Sequence, residues 1–120
     1  MTAATLHRFG FAASGVVAIL IAVLTLMPGH SVPDAPGNDK LHHFLGFAVL
    51  VFPLVAVRPR AVVWAVPAAI LFGGAIELIQ PLVGRNGEWA DMAANTLGVL
   101  IGAGLGWAAH GALRAVVGRG

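Results

Sequence analysis

Lys40, His43, Glu77, Gln80, Arg85, Asp91 and Asn95 are the residues of this chain whose types and spacing could support chemistry. Glu77 stands inside an apolar run, and an acid at mid-helix costs roughly 2.5–3.5 kcal/mol on insertion scales, so it needs a compensating partner. Gln80 follows at i+3, on the same helical face. Lys40, His43 and Phe47 form a second face by spacings of three and four, with Asp39 just before it. The adjacent His42 points elsewhere on that helix. A histidine near an interface can serve as acid, base or nucleophile where lysine or glutamine cannot. Asp91, Asn95, Gly98 and Gly102 form a third face, and Arg85, in the joint before it, offers a planar donor set to an anion.

Each residue also has an ordinary reading. Glu77 could bond a neighbouring helix or reach outward, Lys40 could anchor at an interface, and Asp91 could cap a helix N-terminus. Asn95, one turn further in, is harder to explain as a cap. Their joint placement carries more than any single residue, because three separate segments bring polar faces to a similar shallow depth. Such a pocket holds cationic donors, carboxylates, an imidazole and amides at the level of a lipid phosphate.

The elements that must position these groups are membrane helices. Residues AVILMFWYC make up 58% of the 120 residues and charged residues only 10%, against about 25% charged in ordinary globular domains. A soluble domain this small needs far more polar surface to cover its core. Four apolar stretches, at about 9–27, 41–57, 61–83 and 91–109, each approach the roughly 20 residues that cross the hydrocarbon. The expected fold is therefore an all-α bundle of four transmembrane helices, forming one domain over residues 1–120. The first stretch ends at Pro28-Gly29-His30 and has no A-x-A-like cleavage site, so we read it as a retained helix. Pro67 falls early in the third, where lipid tolerates a kink. Gly98, Gly102 and Gly106 give the fourth a small-xxx-small face suited to a helix–helix partner.

The basic residues set an orientation. With both termini cytoplasmic, Arg8, Arg58, Arg60, Arg114 and Arg119 lie inside and only Lys40 and Arg85 outside. Asp34, Asp39, Glu77, Glu88 and Asp91 then all belong to the outer half. The Lys and Arg are scattered singly and form no basic tract, which argues against a nucleic-acid partner. The absence of cysteine excludes disulfides and thiolate metal sites.

Three segments together resemble the VanZ-like family: DKLHHF at 39–44, ELIQPLVGR at 77–85 and DMAANTLGVLIG at 91–102. The resemblance spans residues 39 to 102. It places the family's Asp-Lys-x-x-His on Asp39, Lys40 and His43, its Glu-x-x-Gln and following Arg on Glu77, Gln80 and Arg85, and its Asp-x-x-x-Asn-x-x-Gly on Asp91, Asn95 and Gly98. Two positions depart from it: Phe47 stands where members often carry tyrosine, and Glu88-Trp89-Ala90 where a small hydroxyl residue is common. The resemblance implies a multi-pass protein of the bacterial inner membrane, in a family named for a member associated with teicoplanin resistance. It further implies action on phospho-headgroups of lipids or lipid-linked cell-envelope intermediates.

The first functional expectation is therefore an enzyme that hydrolyses or exchanges a phosphoester-linked headgroup at the outer leaflet. His43, Glu77 and Asp91 would be catalytic, and Lys40, Gln80, Arg85 and Asn95 would bind substrate. The second is a non-catalytic binder of an anionic headgroup or a shield against a lipoglycopeptide. The third is a small assembly subunit that packs a partner through Gly98, Gly102 and Gly106. A divalent metal held by Glu77, Asp91 and His43 has no ligand motif in the spacing, so the sequence leads us to expect none; it names no other cofactor.

Overall fold

The computed structural model describes residues 2–27, 39–84 and 89–117. Within them the chain forms four helices, α1 Ala3–Leu26, α2 Asp39–Val57, α3 Val62–Ile79 and α4 Trp89–Val117. All four are long and apolar enough to cross a membrane. There is no strand among the described residues. Hydropathy marks the membrane-crossing part of a helix, so α1 and α4 run beyond the apolar stretches at 9–27 and 91–109. Thr2 starts α1 early, its side-chain oxygen accepting from the Thr5 N–H at 3.1 Å. Nothing between Ala109 and Val117 breaks the helical backbone, so α4 reaches 29 residues. At about 1.5 Å per residue that is longer than the roughly 30 Å hydrocarbon, consistent with a molecule 51 Å in its longest dimension.

Proline sets the joint between α2 and α3. A residue before proline is pushed out of the α region, and Arg58 takes φ −145° before Pro59. A 3₁₀ turn, Pro59–Ala61, then starts the next span. At its far end α3 tightens into a second 3₁₀ turn, Gln80–Val83, closed by Gly84 at φ 75°. The expected stretch 61–83 thus comprises the end of one turn, a helix and another turn.

The helix α2 sits centrally, packed most extensively on α4 and also on α1 and α3. Its contact with α4 depends on absent side chains. A Cβ on Gly98 would overlap the Phe44 carbonyl oxygen, one on Gly102 that of Ala48, and one on Gly106 would stand 2.9 Å from that of Phe52. The small-residue face is thus filled by α2 of the same chain, which lets the two backbones touch. On the other side, Ser14 of α1 donates to the Leu50 carbonyl at 2.7 Å. The core between the helices holds Ile21, Phe47, Leu50, Val51, Val55, Ala69, Ile76, Val99 and Ala103. Leu71, Leu78, Leu82 and Val63 are exposed around the outside, as expected where the surrounding solvent is lipid.

Candidate functional site

The polar residues converge where α2 and α4 begin and α3 ends. Lys40 and His43 lie in the first two turns of α2, Asp91 and Asn95 in the first two of α4, and Glu77 in the last turn of α3. Their helical faces decide which of them enter. His43 is buried whereas its neighbour His42 is exposed, and the same face carries Phe47 deeper into the core. Asp91 and Asn95 are 1% and 0% exposed, on the stripe that Gly98 and Gly102 continue into the α2 contact.

His43 is the centre. Its Nδ1 lies 2.8 Å from Asn95 Oδ1, and with that oxygen as acceptor Nδ1 carries the proton. Glu77 Oε1 stands 3.7 Å from the same nitrogen. On the far side of the ring, Nε2 faces Asp91 Oδ2 at 3.8 Å. The other oxygen of Asp91, Oδ1, lies 3.5 Å from Lys40 Nζ, and the lysine side chain is half exposed at the rim. One donor atom each from His43, Glu77 and Asp91 lie within 4.8 Å of one another. Three helices therefore deliver an imidazole and two carboxylates to a single point, with an ammonium at its edge.

This geometry suits anion chemistry. Both α2 and α4 point their N-termini toward the cluster, where the partial positive charge of unpaired N–H groups favours a negative ligand. Asp91, in the first turn of α4, takes up part of that field, and Lys40, ion-paired with it at 3.5 Å, stands half exposed at the rim.

Gln80 falls outside the cluster's contacts. It is buried, and its Nε2 donates to the Thr25 carbonyl at 3.1 Å, in the last turn of α1. Carbonyls there have no intrahelical partner, so Gln80 ties α1 to α3. Arg85 lies outside the described residues. His110 stays apart at the other end of the bundle, donating through Nδ1 to the Ala56 carbonyl at 2.8 Å. Phe47 is fully buried against Phe72, with ring centroids 6.0 Å apart.

Gly73 is a residue that spacing could have revealed. It lies one turn before Glu77 on the same face, and a Cβ there would come 3.1 Å from Asn95 Nδ2 and 3.2 Å from Phe47 Cε1. Its missing side chain lets Asn95 reach His43. Ser14 and Gly10, four apart on α1, are a further small-residue pair of the kind we identified on α4; a Cβ on Gly10 would meet Val57 and the Pro53 carbonyl.

The family model described as VanZ/LLP1 matches residues 10–110. No curated protein and no solved structure matches the chain. The match includes α2 and α3, most of α1 and α4, and every residue of the polar cluster, extending well beyond the 39–102 segment that carries the resemblance in the sequence.

Proposed function

This chain belongs to the VanZ/LLP1 family, and on that premise we propose that it acts on the phosphate of a lipid or lipid-linked headgroup, by hydrolysis or headgroup exchange. The observation that carries this reading is the convergence of His43, Glu77, Asp91 and Lys40 at one end of a membrane bundle. Phosphoryl transfer asks mainly for positioning and for stabilisation of charge. Lys40 binds the phosphate oxygens at the rim. The buried cluster activates the nucleophile: water or an alcohol attacks phosphorus, its proton passes to a basic atom of the cluster, and the ester oxygen that leaves takes a proton back. Asn95 fixes the imidazole, and Arg85 adds a second cation to the phosphate.

The distribution of arginine supports an orientation with both termini cytoplasmic, so that the site opens to the outer leaflet of a bacterial inner membrane. The depth fits, because Asp91 and Lys40 sit at helix starts where headgroup phosphates lie. Purified protein incubated with defined phospholipids and polyprenyl-linked phosphates, followed by mass spectrometry, tests the reading. Loss or exchange of a headgroup, abolished by Glu77→Gln and His43→Gln, is the expected result. Tight binding of one lipid without turnover, retained in both variants, would establish the non-catalytic binder instead.

A further inference from the structure

We propose that His43, Glu77 and Asp91 bind one divalent cation of the manganese or zinc type. This deepens the reading above, since it concerns the same site, but it stands on the geometry of three side chains. Along the chain these residues are 34 and 14 positions apart, so no ligand motif is visible. The fold removes that separation. Donors to one ion at about 2.0–2.2 Å stand no more than roughly 4.4 Å apart, and the three here lie within 4.8 Å. Nε2 and Asp91 Oδ2, 3.8 Å apart, already stand at a separation one ion spans, and Glu77, whose Oε1 lies 3.7 Å from Nδ1, completes the set by swinging its carboxylate round the ring edge toward Nε2.

The tautomer points the same way. With the proton on Nδ1 held by Asn95, Nε2 presents a lone pair, and the atom it faces at 3.8 Å is a carboxylate oxygen. Two acceptors in that arrangement repel unless positive charge lies between them. Lys40 does not supply it there, because its Nζ approaches Asp91 from the other oxygen. Asp91 Oδ1 is buried and accepts no hydrogen bond, with the Lys40 ammonium 3.5 Å from it. A cation between Nε2 and Asp91 Oδ2 removes that repulsion, and buried charges are stable when paired or metal-bound.

The ligand chemistry selects the ion. One imidazole and two carboxylates form a mixed N/O set, which suits manganese or zinc better than calcium or magnesium. An Nδ1–H donated to a side-chain amide is also the outer-shell arrangement that orients a ligating histidine. Such an ion lowers the pKa of bound water and can polarise a phosphoryl oxygen, which gives the cluster a way to generate its nucleophile.

The test uses the full chain in detergent or nanodiscs, stripped with a chelator, then equilibrated with MnCl₂ or ZnCl₂ and assayed by inductively coupled plasma mass spectrometry and equilibrium dialysis. The expected result is one ion per chain, with binding at least tenfold weaker in His43→Gln, Glu77→Gln and Asp91→Asn. The variant His110→Gln retains binding, and Glu77→Asp, which keeps a carboxylate, retains most of it. Circular dichroism on every variant separates loss of a ligand from loss of the fold. A wild-type protein without stoichiometric metal overturns the proposal, as does binding unchanged in the three ligand variants. Metal bound without headgroup turnover sustains this inference and refutes the catalytic reading; turnover in excess chelator with no bound metal does the reverse.

Discussion

Adding one methyl group at Gly98 should damage both the bundle and the site. A Cβ there overlaps the Phe44 carbonyl oxygen, while carbon–oxygen contacts settle at about 3.3–3.6 Å, so α2 and α4 must separate by on the order of 1 Å at that level. Overpacking of this kind costs about 1–3 kcal/mol. The same opening acts on the neighbouring turn, because Phe44 follows His43 and Gly98 lies three residues beyond Asn95. The His43–Asn95 bond, now 2.8 Å, would stretch to roughly 3.8 Å, beyond hydrogen-bonding distance. The control is Gly104→Ala, where an added Cβ meets nothing within 4 Å. Both changes share the gain of about 0.5–1 kcal/mol from replacing glycine in a helix, so their difference isolates the overlap. Thermal or SDS unfolding in detergent, followed by circular dichroism, should place Gly98→Ala about 1–3 kcal/mol below Gly104→Ala, with metal binding weakened in Gly98→Ala alone. Gly106→Ala, at the end of the face away from the cluster, should lose stability but keep binding. If Gly98→Ala and Gly104→Ala unfold together within about 0.5 kcal/mol, the close approach of α2 and α4 is not what the glycines provide.

Replacing Gln80 with leucine should free the Thr25 carbonyl and cost about 0.6 kcal/mol, the mean for interhelical hydrogen bonds in a bilayer protein; hydrogen exchange should rise at the end of α1, and undiminished protection there would show that Gln80 does not hold α1. Asn95→Leu should release the imidazole of His43, so that ¹⁵N NMR moves from the Nδ1–H tautomer toward a mixture and metal affinity falls by roughly 10–100-fold. An unchanged tautomer in that variant would remove Asn95 as the group that orients the ring.

The location of the polar cluster was legible because burial in lipid makes polar residues expensive. An acid at Glu77, an amide at Asn95 and a histidine at His43 each demand a partner, and helical periodicity chose His43 over His42, which the structure leaves exposed. The partners themselves were not legible. No spacing along the chain shows that His43 Nδ1 meets Asn95 at 2.8 Å, with Glu77 further off at 3.7 Å. Gln80 shares the face of Glu77, but one further turn carries it to the end of α1. Spacing on one helix determines which residues share a face; it carries no information on what another helix places opposite.

Hydropathy and proline placement thus determined four spanning helices, and the period of 3.6 determined the polar face of each. The glycine spacing on α4 showed that some backbone would come close, and the tertiary structure decided that it is α2 of the same chain. Tertiary structure also decided that an imidazole and two carboxylates from three helices meet within 4.8 Å. The physical reason is that periodicity and solvation energy are local properties of a segment, whereas a binding constellation depends on the distance and rotation between segments, and these are set by which small residues let which backbones touch.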